Sequence, residues 1–203
     1  MKKRKKTGRQ RANDPEGMRN HILDVAYSLF VTQGYHATGM QDIFAAAKVT
    51  SGALHHHFPT KKQLGIAAIR ERVAATVTST WIEPVREADL AIEGALSVMK
   101  EIAGDLRKQG EVRGCPLNNL TLELAYADPE FRLATQEIFD EWISAIAACI
   151  RADQQTGWRK DIDPVACANF IVAAYSGAMA MAKAEQSEKP LISTIKMLKS
   201  QLT

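Results

Sequence analysis

Apolar positions along this chain recur every three or four residues, from the first structured segment to the last. In "NDPEGMRNHILDVAYSLFVTQGY", Met18, Ile22, Val25, Leu29 and Phe30 mark one helix face. Asp14 stands as cap and Pro15 at the first helical position, and Gly34 ends the run. Thr38 and Gln41 have the spacing of a capping box that opens a short helix through Ile43 to Ala47. Lys48 and Val49 turn the chain. Thr50 or Ser51 caps a third helix that ends near Phe58, because Pro59 disfavours α geometry in the residue before it. Thr60 and Gln63 form another capping box, and a fourth helix runs from Lys61 towards Trp81.

The same period continues beyond residue 80. One pattern covers Asp89 to Gln109, another starts at "GCPLNNLTLELAYA", and a longer one fills "DPEFRLATQEIFDEWISAIAACIRA". The segments "DPVACANFIVAAYSGAMAMAKA" and "KPLISTIKMLKSQL" complete the chain. Asp128 with Pro129, and Asp163 with Pro164, are twin cap-plus-proline starts. No segment alternates with period two and no internal repeat is present, so the chain reads as all-α. Two short helices joined by a tight turn, with Ala45 and Ala46 small enough for a close crossing and Val49 pinning the turn, predict a helix-turn-helix. The first helix braces the pair from behind. The domains expected are a basic arm at 1–13, a three-helix DNA-binding unit at 14–62 and a larger helical unit at 63–203.

Composition agrees with helices: hydrophobic residues make up 46% of the 203 residues and aromatics only 6%, which favours close helix packing over a β-sandwich. No apolar run is expected to span a membrane, and the basic start "MKKRKKTGRQR" leads into "ANDPEGMRN" rather than an apolar signal core, so a cytoplasmic protein is expected. Charge is lopsided. Residues 1–72 carry 13 Lys or Arg against 5 Asp or Glu, whereas residues 73–203 carry 13 against 18. A basic front half suits a polyanion, which the acidic remainder repels. Lys2, Lys3, Arg4, Lys5 and Lys6 head an arm suited to phosphates or an adjacent minor groove; a merely solvated tail is the other reading.

His55, His56 and His57 follow one another on the third helix. Neighbours on a helix point about 100° apart, so three in a row do not converge on a metal ion, and no metal or other cofactor is expected. All five histidines precede residue 58 and all three cysteines follow residue 114. With no GxSxG, HExxH, P-loop or dinucleotide fingerprint, an enzyme is not expected. The helix after Pro164 is nearly smooth at Ala173, Ala174, Gly177, Ala178, Ala180 and Ala182. It suits a subunit interface shared with the final helix, or close packing within one chain. Cys115, two residues after Arg113 and directly before Pro116, fits a helix N-cap where dipole and cation favour a thiolate; an inert residue in a tight corner is the alternative. Cys149 and Cys167 read as buried.

The stretch "GYHATGMQDIFAAAKVTSGALHHHFPTKKQL" resembles the N-terminal signature of the TetR family of transcriptional regulators, and "GCPLNNLTLELAYADPEFR" is similar to a segment of one subset of them. Lys48 stands where the family usually has glycine, and His55 and His57 where an aromatic is common. The resemblance implies a regulator, more commonly a repressor, released from its DNA operator by a small-molecule effector; the smooth helix adds a homodimer on a palindromic site, and Cys115 adds release by a thiol-reactive compound as a second possibility. A packaging protein that binds nucleic acid without sequence preference is the alternative. The resemblance assigns DNA contact to Thr38, Gln41, Thr50, Ser51, Gly52, Ala53, His55, His56 and His57, and phosphate binding to Lys61; His57, of the three, is the one expected to cap or pack locally instead. It also implies an effector pocket among the middle helices, for which Trp81, Met99, Cys115, Leu120, Tyr126, Phe139, Trp142 and Tyr175 are candidates, any of them equally suited to plain core.

Overall fold

The computed structural model describes residues 14–202. The basic arm, with Lys2, Lys3, Arg4, Lys5 and Lys6, lies outside the described residues. Among the described residues the only regular structure is helical: α1 (Pro15–Gln33), α2 (Met40–Ala47), α3 (Ser51–His57), α4 (residues 61–87), α5 (Ala91–Gln109), α6 (Pro116–Leu124), α7 (Pro129–Gln155), α8 (Pro164–Glu185) and α9 (Lys189–Leu202).

Local chemistry sets the ends. The Asp14 carboxylate accepts from the Gly17 amide at 2.9 Å, and Gly34 closes α1 at φ 93°, donating to Phe30 O. The buried face of α1 is Ile22, Leu23, Ala26 and Phe30. Met18, expected on it, is 40% exposed, because the first turn projects beyond the helices it braces. The second start also differs from expectation. Thr38 does not cap; its side chain is fully buried and donates to Gly34 O at 2.8 Å. The cap is Gly39, whose amide donates to the Asp42 carboxylate at 2.7 Å. Thr50, Thr60 and Asp163 cap as expected, accepting from Ala53, Gln63 and Ala166 amides. Ala45 and Ala46 turn outward, and Ala47 makes the close approach to α1, where the His21 ring nitrogen donates to its carbonyl at 2.9 Å.

The fourth helix outruns the sequence reading by six residues. It contains two wider, π-type stretches, Ala68–Val73 and Thr78–Ile82. The second precedes Pro84, which lacks an amide proton and crowds the carbonyl one turn back; widening the turn accommodates it. Carboxylate–guanidinium pairs tie α1 to α4: Arg19 grips Glu71 through two contacts of 2.5 and 2.8 Å, and Arg72 meets Asp24 at 2.6 Å. Arg19 holds the Glu71 carboxyl below its ordinary range. A depressed carboxyl stabilises the fold above its unfolded value, and that contribution is lost as pH falls through the folded one.

In the second half of the chain α5 and α8 pack on α7, and α9 packs across α5 and α8. The N-terminus of α5 has no local cap; Asp153 of α7 accepts its Ala91 amide at 2.7 Å. Contrary to the sequence reading, α8 is long and apolar enough to cross a membrane by length and composition. Its inner face, including Ala168, Ile171, Val172 and Ala182, instead fills the core. The expected smooth face divides: Ala178 and Ala182 turn inward, while Ala173, Gly177 and Ala180 face outward beside exposed Phe170 and Met181.

Lys48 ends α2 at φ 55°, ψ 39°, a left-handed conformation that costs an L residue about 1 kcal/mol more than glycine. Lys48→Gly is therefore expected to stabilise the protein by about 1 kcal/mol in thermal or denaturant unfolding. An unchanged or lower midpoint would show that the lysine side chain offsets that cost.

Candidate nucleic-acid interface and interior cavity

The outer face of the helix-turn-helix carries no apolar stripe. Gln41, Thr50, Ser51, Gly52, His55 and His56 are exposed, and Ala53 and His57 are half-buried. Leu54 and Phe58 anchor the opposite face of α3 in the core, which fixes the orientation of the outward residues. A Cβ built at Gly52 would meet nothing within 4 Å, so nothing inside the fold demands glycine there. His57 is half-buried and packs edge-on against His56, and His55 also bonds locally, its Nδ1 lying 3.3 Å from Pro59 O. A carbonyl only accepts, so Nδ1 carries the proton and Nε2 is left as the other polar atom. Thr38, buried, offers its hydroxyl to Gly34 and not to any outside group.

Lys61, at the first position of α4, places its ammonium 4.3 Å from the Tyr35 ring centroid and 3.4 Å from His36 O. Partial burial lowers its pKa, opposed by Glu123 and Asp42. Tyr35 forms the corner between α1 and α2 and packs on Phe30 and on Phe131 of α7, at centroid separations of 5.1 and 5.0 Å. The Glu123 carboxylate of α6 accepts both corner amides, Tyr35 at 3.0 Å and His36 at 2.6 Å. Lys62 bridges Asp128 and Glu130 beside it. The reading head is thus fastened to the second half of the chain by charge-assisted bonds on both sides of the corner.

At the other end of α6 lies a cavity of about 200 Å³ between α4, α5, α7 and α8. Its lining includes Val73, Thr76, Val77, Thr80 and Trp81 from α4, Ile102 and Leu106 from α5, Cys115 and Leu117, and Trp142, Tyr175 and Met179. Trp81, Cys115, Trp142 and Tyr175 come together as the sequence reading expects. The other four candidates do not line it. Met99 and Leu120 are plain core, Phe139 stacks behind Trp142 at 6.4 Å, and Tyr126 is 99% exposed in the turn after α6. The α4 contributors other than Trp81 escaped notice because Val and Thr on a helix read as ordinary packing; the two wide stretches that set their facing leave no composition signal.

Cys115 does occupy the N-cap of α6, ahead of Pro116. Its surroundings favour the inert reading over the thiolate one. Burial pushes the thiol up, against weaker opposing bonds from Asn118, Leu117 and Tyr175. The Arg113 guanidinium that was to favour the thiolate is turned to Glu111 at 3.1 Å. Cys149, expected buried, is half-exposed.

Comparison with known proteins gives one answer. The family profile "Bacterial regulatory proteins, tetR family" matches residues 22–68. The profile "Transcriptional regulator LmrA/YxaF-like, C-terminal domain" matches residues 91–197, more than half of the chain. The HTH-type transcriptional repressor DhaR of Mycobacterium sp. (strain GP1) is 26% identical over 182 residues, covering 86% of each chain. The HTH-type transcriptional regulator LmrA of Bacillus subtilis is 29% identical over 140 residues, 68% of this chain and 72% of the relative. Among solved structures, a regulatory protein TetR from Rhodobacter sphaeroides superposes with TM-score 0.80 at 24% identity, over 92% of this chain and 99% of that one.

Replacing Gly52 by alanine should leave stability unchanged or raise it by up to about 1 kcal/mol, while weakening DNA binding through the lost backbone approach. Unfolding and gel-shift measurements on the same preparation check both halves. Full retention of DNA affinity would show that Gly52 is not at the interface.

Proposed function

The chain belongs to the TetR family of bacterial transcriptional regulators, which are not enzymes, and from that membership we propose a cytoplasmic homodimeric repressor released from a palindromic operator by a small molecule in the α4–α8 cavity. DNA-binding regulation comes with the family, and its members typically act as dimers with small-molecule effectors. The remaining particulars rest on this chain's own residues. Gln41 and α3, from Thr50 to His57, are assigned to the major groove, and the Lys61 ammonium and α4 N-terminus to phosphate. The basic arm is assigned to adding affinity for any DNA.

The observation that carries the reading is the course of α6. This nine-residue helix has Cys115 and Leu117 against the cavity at one end and Glu123 on the reading-head corner at the other. A ligand that displaces its first turn moves the acceptor that holds Tyr35 and His36. Dimerisation is assigned to the outward stripe of α8 and α9, where Val165, Phe170, Met181 and Met197 are each more than 40% exposed. These residues flank Ala173 and Gly177, which permit close helix approach.

Two substitutions test the arrangement against DNA flanking the protein's own gene, located by footprinting. Glu123→Ala is expected to fold and dimerise but to bind the footprinted site about tenfold more weakly, the effect of removing charge-assisted bonds. Unchanged affinity would dissociate the corner from operator binding. Phe170→Glu should sediment as a monomer and lose the footprint, and a dimer persisting in that variant would place the interface elsewhere. Equal binding of wild type to random DNA would favour the packaging alternative.

A further inference from the structure

Two residues other than glycine hold a positive φ among the described residues: Lys48 at 55° and Gln186 at 50°. Both end a helix in the left-handed conformation, where a Cβ crowds the backbone and glycine is usual. For Gln186 the reason lies inside the fold. Its side-chain amide accepts from the Val112 amide at 3.0 Å and donates to the carbonyls of Val112 and Lys183 at 3.1 and 2.7 Å, which fastens the loop before α6 to the end of α8. Nothing comparable holds Lys48. Its side chain is exposed, and no side chain or carbonyl of the described residues engages its ammonium.

The contrast extends to the neighbouring cations. Residues 14–72 contain six Lys or Arg, of which five are engaged within the fold. Arg19 pairs with Glu71, Arg72 with Asp24, Arg70 with Glu137, and Lys62 with Asp128 and Glu130. Lys61 sits over the Tyr35 ring and bonds to His36 O. Lys48 is the sixth. It is also the only Lys or Arg in residues 34–60, the stretch that forms the helix-turn-helix.

We infer that Lys48 is a phosphate anchor for DNA, and that the left-handed turn is retained with a lysine in it because the charge is needed outside the fold. The inference rests on the reading that α3 enters the major groove. In that docking the first helix of the pair crosses the phosphate backbone and the second places its N-terminus in the groove, so the turn between them lies where the protein passes from one to the other. Lys48 stands two residues before the Thr50 cap of α3, which puts its Cα within about 7 Å of that of Thr50. A flexible stem ending in a point charge suits a phosphate better than a base edge. The other service a cation performs at this position is to offset the negative end of α2, and that acts on the stability of the fold alone.

Binding of full-length wild type, Lys48→Gly, Lys48→Asn and Lys48→Arg to the footprinted operator and to random DNA, from about 50 to 200 mM salt, separates the two roles. Glycine and asparagine tolerate the left-handed turn and remove the charge, whereas arginine keeps it. The Gly and Asn variants are expected to bind both DNAs at least about fivefold more weakly, with the slope of log affinity against log salt shallower by about 0.9 per bound subunit. Their preference for operator over random DNA should stay within about threefold of wild type, and Lys48→Arg should keep both affinity and slope. A thermal midpoint of Lys48→Gly at or above that of wild type shows that the weaker binding is not unfolding. Unchanged affinity and slope in the Gly and Asn variants overturn the proposal, and a lowered midpoint in the same proteins assigns the lysine to the helix dipole instead. An altered base preference overturns it as well, because a phosphate contact carries no sequence information. Equal binding of operator and random DNA by the wild type defeats the groove reading, while the slope on random DNA still decides whether Lys48 touches phosphate.

Discussion

The helix-turn-helix and the cavity domain of this protein are joined at a corner whose central acceptor is one carboxylate. Glu123 accepts the two amides at the α1–α2 corner, and those amides have no helical partner to return to, since they lie between helices. Around this contact the corner closes on Tyr35, with Phe30 and Phe131 on its ring and the Lys61 ammonium over it. The packing is tight enough that a Cβ at Gly65 would come within 2.6 Å of the Tyr35 ring and 3.0 Å of Phe131. Small shifts of α6 therefore reach the helix-turn-helix as displacements rather than being absorbed in slack.

The fourth helix makes the same connection on a longer path. Its first turn carries Lys61 and Lys62 at the corner, and its middle carries Val73, Val77 and Trp81 at the cavity. Its two wide stretches contain Val73 and Trp81 and flank Val77. Such turns have backbone bonds that shift register more readily than regular α turns, and they often occur at functional sites. Arg19 of α1 pairs with Glu71, and Arg72 pairs with Asp24 of α1, so α1 is clamped to the segment between corner and cavity. The cavity is lined by α4 and by the start of α6 together, so the proposed ligand would touch both.

Much of this was legible in the chain itself. Asp14, Pro15, Thr50, Thr60, Asp128 and Asp163 mark helix starts because capping is a local interaction between a side chain and amides two or three residues on. The errors cluster where burial and tertiary packing, not the local sequence, decide a side chain's surroundings. Thr38 looked like a cap, but the Gly34 carbonyl at the buried corner claims its hydroxyl. Cys115 stands where the sequence puts it along the chain, and of its two readings the inert one is favoured, since burial raises the thiol and Arg113 pairs with Glu111. Tyr126 and Trp142 were equally plausible pocket residues in the sequence; one proved fully exposed and the other fully buried, a difference set by tertiary packing alone. Glu123 gave no signal at all, because an acidic residue on a short helix is ordinary until its partners 87 and 88 positions away are known.

Coupling through the corner is most directly read by amide hydrogen exchange at Tyr35 and His36, whose protection depends on the Glu123 carboxylate. The account predicts slow exchange at both amides in the operator-bound protein and markedly faster exchange once the cavity is occupied by any compound that releases the operator. Identical exchange rates in those two states, with the operator nonetheless released, would contradict it.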